Sequence, residues 1–151
     1  MNILGIDPGL NATGLGALYD GRMSQQTIRP DINHHNLAFR VREIAEKVRL
    51  ATCDLYGLDL LVIEKPQVYE RWKSKGDPND LVDLAVLVGA LIVVIPAKRI
   101  LLPQPQQWKG SVPKRIHHRR IRTLYPDLGR CSADAMDAVG LALYGAKHAH
   151  P

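Results

Sequence analysis

Two short, almost wholly apolar runs, each closed by an acidic residue, constrain this chain more than any other feature. Residues 2–7 read Asn-Ile-Leu-Gly-Ile-Asp, and residues 58–64 read Leu-Asp-Leu-Leu-Val-Ile-Glu. Runs this short and this continuously apolar fit strands buried on both faces, the habit of neighbouring parallel strands with helices above and below. The first run stops at Pro8-Gly9, a turn signal. An ionised side chain in a buried neighbourhood is costly unless it is paired or bound to a cation. Asp7 and Glu64, at matching ends of the two runs, are therefore the first candidates for chemistry, although a lone Asp at a strand end is also a common turn former.

The other segments fill in around that pair. Residues 13–19 are rich in Gly and aliphatic side chains, Asp20-Gly21 is a tight hairpin signal, and residues 22–28 should return antiparallel. Leu37, Val41, Ile44 and Val48, with Ala51 or Leu55, recur at helical spacing. They predict an amphipathic helix over residues 36–56, ended by Gly57, whose crossover lays residues 58–64 parallel to residues 2–7. Asp77-Pro78 offers an N-cap and a first-turn proline for a helix over 79–94. That helix is apolar on nearly every side, which calls for burial against the sheet or a partner chain. A fifth strand at 99–102, a proline-punctuated loop at 103–112, a basic helix at 114–124 and a final helix at 133–146 complete the reading. The expectation is an α/β fold, a five-stranded mixed sheet with helices on both faces, formed by one domain over residues 1–151 without repeats or a dividing linker.

Charge narrows the partners. The chain carries +5, and from Lys98 to Arg130 nine basic residues face Asp127 alone. A one-sided basic segment is the footprint of a polyanion binder, and also the look of a solvated helix face. Cys53 and Cys131 have no metal-type spacing and read as reduced thiols. The N-terminus has no basic n-region, and the longest apolar stretch, residues 81–95, carries Asp83 and is too short to span a bilayer. A cytoplasmic protein without membrane attachment is expected.

Asp134 and Asp137 stand i, i+3 on the last helix, beside apolar Ala133, Ala138, Leu141 and Ala142, so the face that packs on the sheet also carries acid. Asp134 alone also reads as a first-turn charge favoured by the helix dipole. Four converging carboxylates repel one another, and oxygen-ligated divalent cations, magnesium or manganese, relieve that repulsion. Gly9, Gly14 and Gly16 lack the Lys-Ser/Thr of a nucleotide-binding loop, so they read as a tight turn and close packing, with no nucleotide cofactor expected. His34-His35, His117-His118, His148 and His150 lack zinc spacing and read as exposed helix-end residues. Tyr69 and Trp72 alternate with Arg71, Lys73 and Lys75; the aromatics serve either to stack on unpaired bases or to pack over the domain edge.

Gly5-Ile6-Asp7-Pro8-Gly9 followed by Thr13-Gly14, then Val62-Ile63-Glu64, then Ala133-Asp134-Ala135-Met136-Asp137-Ala138 resembles, in order and over nearly the whole chain, the RuvC-type Holliday junction resolvases of the RNase H-like superfamily. Trp108-Lys109-Gly110 and Pro113-Lys114 are similar to what shorter phage-type members show before their basic helix. The resemblance implies a homodimeric endonuclease that resolves four-way DNA junctions by paired nicks. It implies that Asp7, Glu64, Asp134 and Asp137 hold two Mg2+ or Mn2+ ions for phosphodiester hydrolysis. Lys114, or adjacent Arg115, takes the place of a lysine near the scissile phosphate. Tyr69, Arg71, Trp72, Lys73, Lys75, Lys109, Arg115, Arg119 and Arg120 are the candidate contacts to branched DNA. Lys65-Pro66-Gln67 follows Glu64 where cellular resolvases carry a different run, so no cutting preference is carried over. The alternative is an RNase H-like nuclease acting on flaps, other branched DNA or RNA. An actin-like ATPase needs a second such domain, and a silent binding module has no use for four acids.

Overall fold

The structure is a computed structural model and describes residues 1–31, 36–67 and 78–149. Strands β1 (Ile3–Asp7), β2 (Thr13–Tyr19) and β3 (Arg22–Ile28) form an antiparallel meander. Asp20 and Gly21 turn β2 into β3 with positive φ at both residues, 49° and 76°, the backbone a two-residue hairpin needs. Helix α1 (Leu37–Ala51) crosses over to β4 (Leu60–Ile63), which lies parallel to β1; after α2 (Pro78–Val94), β5 (Arg99–Leu101) adds parallel to β4. The sheet order is β3-β2-β1-β4-β5, the mixed five-stranded sheet expected. Short helix α3 (Pro105–Lys109), basic helix α4 (Lys114–Leu124), a 3-10 turn at Pro126–Leu128 and α5 (Ala133–His148) follow.

Side chains alternate across a strand, so each apolar run feeds two cores. Leu4, Ile6, Leu15, Ala17, Leu61 and Ile63 pack under α1 and α2 with Ile44, Val48, Leu87 and Leu91. Ile3, Leu60 and Val62 point the other way, onto Leu141 and Ala142 of α5 and onto Trp108. Most of these are essentially inaccessible to water, each worth roughly 1.5–3 kcal/mol of burial. By the same alternation Asp7 continues the Ile3-Gly5 face and Glu64 continues the Leu60-Val62 face. Both carboxylates are thereby delivered to the α5 side.

Helix α5 comes closer to the sheet than side chains allow. A Cβ on Gly14 would fall on the main chain of Asp134, and one on Gly16 on the main chain of Val139. The close packing read from these glycines is thus that of a helix lying on a strand pair.

Some boundaries differ from expectation. Helix α1 ends at Ala51 rather than at 56; at its C-cap the Thr52 N–H and hydroxyl both donate to the Val48 carbonyl, at 3.0 and 2.9 Å. Leu58 and Asp59 precede β4 instead of joining it, Asp59 accepting from the Asn2 N–H at 2.8 Å and from Lys98 at 2.7 Å. The loop at 103–112 contains α3, started by Pro105 and by the Gln107 side chain accepting from the Gln104 N–H at 2.7 Å. Helix α2 is not buried all round: Val82, Val86 and Val93 are 62%, 47% and 83% exposed. No helix among the described residues is long and apolar enough to cross a membrane.

Candidate active site

The carboxyl ends of β1 and β4 set the corner where the acids gather. Asp7 ends β1 opposite Gly14 of β2, and the Glu64 N–H extends the β1–β4 ladder by donating to the Ile6 carbonyl at 3.1 Å. Gly14 in turn lies beneath Asp134, so the start of α5 is brought over Asp7. Ser132 caps α5 by accepting from the Ala135 N–H at 3.1 Å, and its hydroxyl meets that of Thr27 on β3 at 2.6 Å. Asp137, one turn on, is 4% exposed.

Burial, together with the charges of Glu64, Asp137 and Asp134, pushes the Asp7 carboxyl up to about 7, against a smaller opposing pull from Lys114. Asp137 is held by two residues one turn apart on α4, Lys114 Nζ and His118 Nε2, each at 2.6 Å. Burial works against the charge on Lys114, but the hydrogen bond to Asp137 and the attraction of Asp137, Asp7 and Asp134 prevail, and its pKa lies above the ordinary lysine value. Glu64 accepts from the Trp108 indole N–H at 2.6 Å, with Lys109 Nζ at 3.7 Å from the same oxygen. His117 packs edge-on against Trp108 with ring centroids 5.3 Å apart, and burial holds its pKa below the usual histidine value.

The four sequence-selected acids therefore share one corner, and Asp7 feels the other three. They are not drawn into a closed ligand cluster: among the described residues no group of three or more His, Cys, Asp or Glu side chains is gathered tightly enough to hold a metal. Repulsion between carboxylates accounts for this, because Glu64 and Asp137 each find a donor or cation instead. The donor set still suits a hard divalent cation, being carboxylate oxygen throughout, with an Asp7 whose ionisation added positive charge would favour.

Lys114 is in the site, whereas Arg115 is exposed and lines, with His118, Arg119, Arg122 and Thr123, a shallow groove of about 470 Å3 on α4. Arg120 is exposed outside that lining, and Lys109 faces Glu64. Tyr69, Arg71, Trp72, Lys73 and Lys75 lie outside the described residues, as do His34, His35 and His150. The reading of His117 and His118 as exposed helix-end residues is corrected. Both are partly buried within α4, because the face of that helix carrying Lys114 turns toward α5. His148 is exposed at the end of α5, stacked on Tyr144. Sequence reasoning missed His118, Trp108 and Arg122 as site residues; the i, i+4 spacing of Lys114 and His118 was the available signal for the first. A cavity of about 650 Å3 between the end of α1 and the α2–β5 turn, lined by Arg49, Cys53, Tyr56 and Lys98 among others, contains none of the acids.

No protein-family model matches the chain. It is similar to the crossover junction endodeoxyribonuclease RuvC of Delftia acidovorans, 27% identical over 169 residues covering 99% of this chain and 85% of that protein. It is likewise similar to the RuvC of Paramagnetospirillum magneticum, 28% identical over 162 residues covering 98% and 92%. In fold it matches the T. thermophilus RuvC solved with a Holliday junction substrate, with TM-score 0.77 and 19% identity over 99% of this chain and 94% of that one. The yeast mitochondrial Holliday junction resolvase follows at TM-score 0.56 and 11% identity, covering 94% and 77%. Along nearly its full length the chain is thus similar in sequence to RuvC proteins, and its sheet order with helices on both faces gives it their RNase H-like fold.

Proposed function

We propose that this chain is a divalent-metal-dependent endonuclease that resolves four-way DNA junctions, its 151 residues forming one nuclease domain that works as a homodimer. The observation that carries the reading is the Asp7 carboxyl, ringed by Glu64, Asp137 and Asp134 and pushed up to about 7. An acid cluster on the core side of a sheet edge has no structural purpose that an apolar residue would not serve better, and a cation resolves its repulsion. Asp7, Glu64, Asp134 and Asp137 would hold Mg2+ or Mn2+. When bound, two such ions supply an activated water and stabilisation of the departing oxygen for in-line hydrolysis.

The remaining residues bind and orient. Lys114, beside Asp137 and half exposed, is placed to meet a phosphate that enters the corner. Arg115, Arg119 and Arg122 offer cations to the flanking backbone, contacts that add affinity without reading sequence. Paired nicks need two sites about a two-fold axis. The partner surface is the exposed stripe Val82, Ala85, Val86, Gly89 and Val93 of α2, where Gly89 leaves open space for a second helix to approach. The relatives named for crossover junction cleavage support this choice of substrate.

The test is cleavage of synthetic four-way junction, flap, duplex and RNA–DNA hybrid substrates, with and without Mg2+. Symmetric nicking of the junction only with metal is expected. Preferred cutting of flaps or hybrids would replace the substrate assignment, and metal-independent cutting would remove the acid cluster from the chemistry.

A further inference from the structure

We propose that Trp108 is a positioning residue for metal binding, its indole N–H fixing Glu64 so that one carboxylate oxygen is held and the other is presented to the cation. The inference rests on the reading of this corner as a metal site and deepens it. Trp108 Nε1 donates to Glu64 Oε2 at 2.6 Å, the short distance of a charge-assisted bond. Lys109 approaches the same oxygen at 3.7 Å and lies 4.8 Å from the centre of the Trp108 ring. Both contacts fall on Oε2, which leaves Oε1 for ligation.

The donor is itself held. Trp108 is 8% exposed and packs with Ile3, Leu60, Val62, Leu141 and Ala142. His117 closes one edge of the ring, and Gly140 of α5 lies where any side chain would strike both aromatic rings. A ring packed on these sides has little freedom to swing its N–H away.

The chemistry distinguishes this contact from those on Asp137. Lys114 neutralises Asp137 with a full charge and must yield ground to an incoming cation. An indole N–H is a donor without net charge and without titration in the accessible pH range. It can hold Glu64 both before and after a cation arrives, as outer partners of metal-ligating groups do.

The experiment is Mn2+ binding to the full-length protein without DNA, followed by titration calorimetry and by the paramagnetic resonance signal of free Mn2+. Trp108→Phe keeps most of the ring and removes the N–H. Mn2+ affinity is expected to fall about tenfold or more, with a cooperative thermal transition retained. In a Trp72→Phe background Trp108 is the only indole. Its emission should then be quenched by Mn2+ with the calorimetric midpoint, and Glu64→Gln should abolish that response. If Trp108→Phe does not fold, benzothienylalanine at position 108 in the Trp72→Phe background, which replaces the N–H by sulfur at nearly constant shape, gives the same comparison. Unchanged Mn2+ affinity in the folded N–H-deleted protein, or emission indifferent to Mn2+ that binds by calorimetry, overturns the role of Trp108 while leaving the nuclease reading intact. A parent protein that neither binds Mn2+ nor cleaves junctions overturns both.

Discussion

Replacing Asp7 by Asn should stabilise the metal-free protein above neutral pH while abolishing cleavage. The Asp7 carboxyl is raised from 3.8 to about 7, by burial first and then by Glu64, Asp137 and Asp134. In the unfolded chain it ionises near its ordinary value; in the folded chain it resists until about neutrality. The favourable contribution of the protonated group is therefore complete below pH 3.8, is lost steadily as pH rises, and is gone once the folded group ionises. A gap of about 3 pH units corresponds to roughly 4 kcal/mol. For a chain of this size that is on the order of 10 °C in melting temperature. The assay is thermal unfolding of parent and Asp7→Asn in chelator from pH 4 to 8. The curves should coincide near pH 4 and separate up to about pH 7, with the variant more stable, and the separation should then stay level. Saturating Mg2+ should raise the parent and narrow the gap. Junction affinity should be nearly unchanged, because most of it comes from phosphate contacts elsewhere. A stability difference that is independent of pH, or a variant less stable at pH 8, would refute the electrostatic account of this corner.

Neutralising Arg115, Arg119 and Arg122 together to Gln should weaken binding to junction and duplex alike, and flatten the salt dependence by about 0.9 in slope for each phosphate no longer neutralised; filter-binding isotherms at several salt concentrations measure it. Gly14→Ala forces a Cβ into the main chain of Asp134 and should cost about 1–3 kcal/mol in denaturant unfolding, with a fall in cleavage larger than any decrease in DNA affinity. Val82→Glu with Val93→Glu should convert dimer to monomer in sedimentation at micromolar concentration and replace paired nicks by single ones, without lowering the melting temperature of the monomer.

What was legible in the sequence was what depends on local period and chain order. The two apolar runs had to be buried strands, Asp20-Gly21 had to turn, and Asp134 and Asp137 had to share a helix face; the pleat then carried Asp7 and Glu64 to that face. What was not legible depends on how distant segments dock. The bond from Trp108 to Glu64 spans 44 residues and that from His118 to Asp137 spans 19. Helix α4 is polar on most sides, so its sequence does not declare which polar stripe faces α5. Helix α2 has the converse problem: Leu87 and Val93 are equally apolar in sequence, yet one is fully buried and the other 83% exposed. At the early end of α1 the Thr52 hydroxyl bonds back to the Val48 and Arg49 carbonyls, contacts no hydrophobic period records.

A helix that rests on side chains rides up or down as their volumes change. Helix α5 instead touches β2 through main chain, with only hydrogen atoms of Gly14 and Gly16 between them. The elevation of Asp134 and Asp137 over Asp7 is therefore fixed by peptide geometry, as a bearing is fixed by its races rather than by the load above it. Exchanges among Leu4, Ile6, Leu61 and Ile63 on the far side of the sheet would be absorbed by α1 and α2. The hydrophobic interior can accordingly vary in composition while the spacing of the acids stays put.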